Sequence, residues 1–401
     1  MRHLLRLGLP VITLAAAVGL AAPVEAGRPA RQPVRFATFN ASLNRNAPGV
    51  LRADLERALD DDPANDSAQL QAVLDIVAAN DPDVLLINEF DTGTDGDAAT
   101  VALFAELAEY PYFFTGTSNT GIPSGYDLNN NGVVGGGDDA LGFGAFPGQF
   151  GMAVFSKFPI DAARARTFQR FLWKDMPGAL LPVDPATGQS WYSPEELAIL
   201  PLSSKSHWDV PIETPRGVVH FLVSHPTPPV FDGAEDRNGR RNYDEIGFWA
   251  DYLRPGRQSR YIYDDAGRTG GLRPNAEFVI AGDQNSDPLD GDSIPGAIQQ
   301  LLEHPRIRER EAPSSAGAAE AAALQGGANT THRSDPRFDT ADFADTAPGN
   351  LRADYVLPSA RLRVTDRGVF WPALGQPGSE LTGTFPFPSS DHRLVWIDVR
   401  G

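Results

Sequence analysis

Apolar residues recur along this chain with two different periods. Residues 34–39 alternate apolar and polar side chains and end at Asn40, as a strand with one covered face does. Val84-Leu85-Leu86-Ile87 is a continuous apolar run, short enough for a buried strand, and it delivers Asn88-Glu89 at its end. Between them Leu70, Val73, Leu74 and Val77 share one helical face, with Asn65 or Asp66 placed to cap the helix and Asp81-Pro82 to stop it. A second helix is expected over 98–108. Further strands are expected at 151–156, 207–213, 217–224, 277–282, 353–357 and 393–399.

Long segments rich in Gly, Pro and Asp separate these elements: 117–149, 176–204, 231–275 and 305–350. Each exceeds the ~15 residues of ordinary connections and reads as a functional or mobile insertion. The Ala/Gly/Ser stretch 313–329 reads as flexible. Strands that end in polar residues run from 34 to 399, so both ends of the chain are expected to build one domain.

Composition narrows the picture. Met1-Arg2-His3 and Arg6 precede the apolar run 7–22, and Val24-Glu25-Ala26 supplies a small-x-small cleavage pattern. Residues 1–26 therefore read as a secretory signal peptide, with 27–401 as the folded domain, secreted to the periplasm or the medium. The alternative, a single membrane anchor, asks for a longer apolar span of ~20 residues. No stable membrane insertion and no obligate protein partner are expected. The chain has no cysteine, which excludes disulfides and thiolate chemistry. A formal net charge of −18 disfavours long-tract binding of polyanions.

Several expected strands end in carboxylate, amide or imidazole side chains. They are Asn40 in RFATFN, Glu89 in LLINEF, His225 in FLVSHPTPP, and Asp283 and Asn285 in VIAGDQNSD. Asp354 in LRADYVLPS and Asp391-His392 in SSDHRLVWIDV complete the series. Strand ends fix the backbone of a residue while leaving its loop side open, so sites gather there. Oxygen donors without thiols suit Mg2+ and similar hard cations. Singly, each of these residues is as easily a turn former or a solvated side chain.

Taken in order, the segments RFATFN, DPDVLLINEF, FGMAVFSKFPI, VVHFLVSHPTPP, FVIAGDQNSDP, LRADYVLPS and SSDHRLVWIDV resemble the endonuclease/exonuclease/phosphatase superfamily. The resemblance spans about residues 34 to 399. It implies an α/β fold, a four-layered α/β sandwich of two packed mixed β-sheets flanked by helices, here with long loop insertions. It also implies a phosphoester hydrolase with Mg2+ (or Mn2+) at the catalytic site. By the resemblance, Glu89 is a direct metal ligand and Asn40 and Asp391 complete the metal region. Asp283 positions or deprotonates the attacking water, Asn285 bonds the phosphoryl oxygens, and His392 contacts the phosphate with Asp354 orienting it. His225 matches the general acid. His207, in SKSHWDVPI, stands near a family phosphate contact and is a candidate substrate ligand; Arg170 and Arg240-Arg241 are candidate anion clamps.

A second motif lies at 127–139. Asp127, Asn129 and Asn131 at loop positions one, three and five, Gly132 at six, the Val133 carbonyl at seven and Asp138 at twelve follow the spacing of a calcium loop. A plain Asn/Gly-rich turn is the other reading. The expected function is a secreted metal-dependent phosphodiesterase or nuclease acting on nucleic acid or a small phosphorylated molecule. A phosphomonoesterase and a non-catalytic, calcium-stabilised binding protein are the alternatives.

Overall fold

In the computed structural model the described residues are 32–400, except 61, 63, 65, 94 and 95. The expected signal segment 1–26 and the candidate cap Asn65 lie outside them. Residues Pro33–Gly401 cluster as one compact unit.

Two mixed sheets form its centre. The first holds β1 (Val34–Leu43), β2 (Val84–Phe90), β3 (Tyr112–Phe114), β4 (Gly151–Ser156), β10 (Arg363–Val369) and β11 (Val395–Arg400), in the order β10-β11-β1-β2-β4-β3. The second holds β5 (Arg166–Thr167), β6 (His207–Thr214), β7 (Gly217–Ser224), β8 (Glu277–Asp283) and β9 (Asp354–Pro358), in chain order. β1 runs parallel to β2, and β7 parallel to β8; the other pairs are antiparallel.

The sheets pack face to face through Phe36, Leu86 and Val154 from one side and Val210, Phe221 and Val279 from the other, all buried. The outer face of the first sheet (Ala37, Phe39, Leu85, Ile87) is covered by α1 (Val50–Ala58), α2 (Ala68–Asn80) and α3 (Ala98–Leu107). The outer face of the second (Leu222, Phe278, Ile280) is covered by α5 (Arg237–Leu253) and α6 (Gln299–Leu302). This is the four-layered α/β sandwich that the family resemblance implied. Burying each large apolar side chain contributes about 1.5–3 kcal/mol, so strands covered on both faces dominate the core.

The longer strands and the helices α2 and α3 match their sequence patterns, and the differences have local causes. The α2 cap is Ser67, whose hydroxyl accepts from the Leu70 amide at 3.3 Å. α1 was not visible as an amphipathic repeat because it buries only Leu51, Asp54 and Leu55. The edge strands β3, β5 and β10 are short or polar. Segments read as insertions contain helices: α5 lies within 231–275, α4 (Pro194–Leu197) within 176–204, and α7 (Ala316–Gln325) within the stretch expected to be flexible. Alanine has the highest helix propensity, and Ser315 caps α7 by accepting from the Ala318 amide at 3.1 Å. Two short helical turns, α4 (Pro194–Leu197) and α8 (Ser379–Thr382), complete the set. Among the described residues, no helix is long and apolar enough to cross a membrane.

Asp339 is buried with one carboxylate oxygen unpartnered. Burial, then repulsion from Asp287, Asp290 and Asp335, pushes its pKa up to about 8. The native state therefore holds a proton that the unfolded chain releases near its ordinary value of about 4, and stability falls as pH rises between these two values. Asp339→Asn is expected to raise the thermal midpoint by a few degrees at pH 8 and to lose that advantage near pH 4. Calorimetric melts at the two pH values check this, and an equal shift at both would remove the carboxylate as the cause.

Candidate active site

The polar strand ends meet at one end of the two sheets. Asn40 ends the regular part of β1, and Glu89 lies next to the end of β2, where the register with both neighbouring strands shifts. Glu89 has a φ of 57°, a left-handed conformation uncommon for a residue with a side chain. The bulge turns its carboxylate out of the strand alternation and toward Asn40. Asn285, two residues past β8, is likewise left-handed at φ 50°. Such outliers concentrate at functional sites, because surrounding structure must hold them in place.

Asp283 is the centre of the constellation. Its Oδ2 accepts from Asn40 Nδ2 at 3.1 Å and lies 3.3 Å from His225 Nε2 and 3.6 Å from His392 Nε2. Its Oδ1 accepts from the Asn285 amide at 2.8 Å. Its own amide donates to Asn88 Oδ1 on β2 at 3.1 Å, which ties the two sheets together beneath the site. The preceding Gly282 has a φ of 145°, and a Cβ there would stand 2.0 Å from the Ser224 carbonyl oxygen, so only glycine fits. Although burial opposes it, the neighbouring His392 and His225 hold the Asp283 carboxyl below the usual carboxylate range. It is ionised at neutral pH.

His392 presents one nitrogen to Asp283 and the other to Asp354, whose Oδ2 is 2.9 Å from Nδ1. Thr340 donates to the same Asp354 oxygen at 2.8 Å, and Phe343 stacks edge-on against the imidazole at 5.2 Å. Burial disfavours the charge on His392, but Asp354, Asp283 and Asp391 outweigh it and raise its pKa well above the ordinary value. The ring is a protonated donor clamped between carboxylates. The ligand atoms of Asp283, Asp354 and His392 lie within 4.8 Å of one another. Both imidazole nitrogens face carboxylates, one through the Asp354 hydrogen bond and one as an ion pair with Asp283, so the cation is sought elsewhere.

Glu89, Asn40 and Asp391 form the corner that could hold a cation. Asn40 Nδ2 reaches Glu89 Oε1 at 3.1 Å, and its Oδ1 accepts from the Ser42 amide at 3.3 Å. Burial is the main cause that raises the Glu89 pKa, and Asp391 and Asp283 add to it. Crowded carboxylates with only oxygen donors fit a hard divalent cation, which would offset both terms. Ser390 fixes this corner by donating to the Asn40 carbonyl at 2.8 Å and accepting from the His392 amide at 3.1 Å.

His225 is buried and its Nδ1 lacks a partner. Burial first, and the Lys205 charge second, push its pKa down to about 4. At neutral pH it is an uncharged imidazole donating to Asp283 from Nε2, which suits positioning better than the general-acid role expected of it. One amide proton of Asn285 goes to the Pro226 carbonyl at 3.1 Å, leaving the other for a phosphoryl oxygen.

His207 requires a correction. It is buried beneath α5, packed on Phe248 and Trp249 at 4.8 and 5.0 Å, with Nδ1 bonded to Ser203 and Nε2 to the Glu245 carbonyl at 2.9 Å. Burial depresses its pKa to about 3. It is a neutral core residue and cannot contact phosphate. The candidate arginine clamps are already hydrogen-bonded to backbone carbonyls, although Arg241 also lines the cavity beside Glu89. Arg170 bonds the Asp265 carbonyl at 2.7 Å, Arg240 the Glu235 carbonyl at 3.2 Å, and Arg241 the Leu202 and Leu141 carbonyls at 2.8 and 2.7 Å.

Besides Arg237 and Arg241, the cavity beside Glu89 is lined by Lys205, a cation that nothing in the block SKSHWDVPI singles out. It is 7% exposed, makes no side-chain hydrogen bond or ion pair among the described residues, and lines one cavity with Glu89 and His225. Burial lowers its pKa, while Glu245, Glu89 and Asp283 pull it back up. The Glu245 carboxylate accepts from the amides of Ser204 and Thr227, both at 2.6 Å, and so holds the Lys205 and His225 loops together.

At the second motif, Asp127 accepts from the Asn131 and Gly132 amides at 3.0 and 2.7 Å, and the side chains of Asn129 and Asn131 accept from the Asn131 and Val133 amides at 3.1 and 2.8 Å. The carboxylate that turns back into the loop is Asp139, bonded to the Leu128 and Gly135 amides at 2.8 and 2.7 Å. The expected closing residue Asp138 instead lines the cavity beside Glu89.

The chain is similar to several solved structures. An endonuclease/exonuclease/phosphatase from Beutenbergia cavernae is 16% identical with a TM-score of 0.50, covering 92% of this chain and 72% of its own. Sphingomyelinase C from Streptomyces griseocarneus is 14% identical with a TM-score of 0.44, covering 92% and 100%. D. rerio TDP2, solved with a single-strand DNA product, is 9% identical with a TM-score of 0.44, covering 92% and 99%. No curated protein matches the chain. The model of the Endonuclease/Exonuclease/phosphatase family matches residues 37–392, from just before Asn40 to His392. The chain belongs to the endonuclease/exonuclease/phosphatase family and has its hydrolase fold.

Proposed function

We propose that this chain is an exported phosphodiesterase that depends on a divalent metal ion and cleaves its substrate by direct attack of water. The observation that carries the reading is the meeting of Asn40, His225 and His392 on one oxygen of an ionised Asp283. A carboxylate so placed accepts a proton from, and aims, a water molecule entering between the two imidazoles. His392, kept charged by Asp354, and the free amide proton of Asn285 face the negative charge that grows on the phosphoryl oxygens. Lys205 adds a second buried positive charge from the cavity side. Mg2+ or Mn2+ held by Glu89, Asn40 and Asp391 would neutralise phosphoryl charge and polarise the ester. No side chain of the constellation is placed as a nucleophile, which favours direct displacement over a covalent intermediate. Export rests on the basic start, apolar run and cleavage pattern of residues 1–26.

The loop 127–139 is proposed to bind Ca2+ through Asp127, Asn129, Asn131 and the Val133 carbonyl, with Asp139 as the better-placed closing carboxylate than Asp138. Its role would be to order the insertion, since an ion bound only by the folded state stabilises it.

Two outcomes are expected. With Mg2+ or Mn2+ the chain hydrolyses bis(p-nitrophenyl) phosphate faster than p-nitrophenyl phosphate, chelation abolishes turnover, and His392→Ala lowers kcat by ~10²–10⁴. Exclusive turnover of the monoester would replace the diesterase reading, and no turnover of either would leave a non-catalytic member of the family. Separately, Asp127→Ala should lower the thermal midpoint in calcium but not in excess chelator. Equal losses under both conditions reject the calcium loop.

A further inference from the structure

A cavity of about 400 Å³ opens beside Glu89, His225 and Lys205 and is walled largely by the segments that interrupt the family pattern. Its apolar lining includes Phe143, Phe150, Tyr192, Val230 and Phe231. Two of these rings are far more exposed than aromatic side chains usually are: Phe143 at 61% and Phe231 at 84%. Phe150 and Phe231 also hold left-handed backbone, at φ 55° and 67°, a conformation unfavourable for bulky residues. The surroundings fix these positions. The Asn238 side chain donates to the Val230 carbonyl at 2.7 Å and its amide to Asp232 at 2.6 Å, pinning the loop that carries Phe231 to the start of α5. On the opposite wall the Phe150 amide donates to Asp91 at 3.1 Å, and the Phe143 and Phe150 rings stand 6.1 Å apart.

The exposed rings of Phe143 and Phe231, the latter on left-handed backbone, contribute little to the fold, yet both line the cavity that also borders Glu89 and His225. A cavity of this size suits a small ligand, and its walls reward an apolar, planar group. We propose that this cavity is the specificity pocket of the enzyme. It takes an aromatic group esterified to the phosphate, no larger than a single nucleoside, with Phe143 and Phe231 closing over the ring. Lys205, at the inner end, holds the phosphate that joins this group to the reacting centre. The inference rests on the phosphoesterase reading above for the position of the phosphate, and it adds the class of substituent.

The test uses inert analogues, so that binding is read apart from turnover. Titration calorimetry of the full chain with Mg2+ compares phenylphosphonate with methylphosphonate. The phenyl compound is expected to bind at least about tenfold more tightly, as burial of one ring predicts. Phe231→Ala and Phe143→Ala should each reduce that ratio, and the double variant should bring it close to one. Phe231 and Phe143 are exposed, so melting curves near that of the parent are expected for these variants and separate lost selectivity from lost folding. Equal affinities for the two phosphonates in the parent, or an unchanged ratio in the double variant, would overturn the pocket. Turnover of bis(p-nitrophenyl) phosphate by the same preparation tests the underlying reading. An active enzyme with no phenyl preference rejects only the pocket; an inactive protein that prefers phenylphosphonate rejects only the hydrolysis.

Discussion

One carboxylate oxygen of Asp283 draws three elements of the fold to a point. Asn40 reaches it from β1, His225 from the end of β7, and His392 from the turn before β11. Each neighbour donates, or can donate, a hydrogen bond, so the negative charge on Asp283 costs less there than its burial alone would impose. The arrangement is reciprocal. His392 stays protonated because Asp283 and Asp354 flank it, and Asp354 is held in place by Thr340. Removing any partner leaves a buried charge or dipole uncompensated, which makes the cluster a constraint on the fold as well as a chemical device.

The two sheets supply the rigidity such a cluster needs. Their inner faces interlock through aromatic and branched side chains, and the Asn88–Asp283 hydrogen bond joins them at the site end. The bulge at Glu89 and the left-handed turn at Asn285 depart locally from regular strand geometry, and both departures aim a polar side chain into the site. α5 acts from behind. Glu245 ties together the Lys205 and His225 loops, and Asn242 donates to the Thr227 and Gln284 carbonyls at 2.9 and 3.0 Å. A helix absent from the strand-by-strand pattern thus sets the spacing between the phosphate-facing groups.

What the sequence made legible was local. A strand end such as LLINEF or VIAGDQN announces itself by an apolar run followed by polar residues, and the order of those blocks leads to the sandwich. The residues it obscured depend on partners far along the chain. His207 looked like a ligand because it stands near a family phosphate contact; Phe248 and Trp249, some forty residues later, decide that it belongs to the core. Lys205, two positions earlier, is turned into the cavity by the loop that Glu245 anchors, and nothing in SKSH distinguishes it from a surface lysine. Asp138 and Asp139 are adjacent, so spacing alone could not tell which turns into the loop and which faces the cavity. α7 was hidden because serines precede it and a glycine sits among its alanines, although Gly317 is there for close approach: a Cβ would lie 2.2 Å from the Trp371 carbonyl oxygen.

The family fold fixes the hydrolytic end of the site, while the insertions 117–149 and 231–275 shape the cavity beside it, so reaction and selectivity reside in different parts of the chain. The central claim is that the ionised carboxylate of Asp283 drives the attack of water. Asp283→Asn keeps the size and hydrogen-bonding shape of the side chain but removes its charge. Steady-state kinetics of this variant on bis(p-nitrophenyl) phosphate with saturating Mg2+ should show kcat reduced by ~10²–10⁴ in a chain that still melts cooperatively. A kcat within about threefold of the parent, well short of what loss of a proton acceptor produces, would contradict the account.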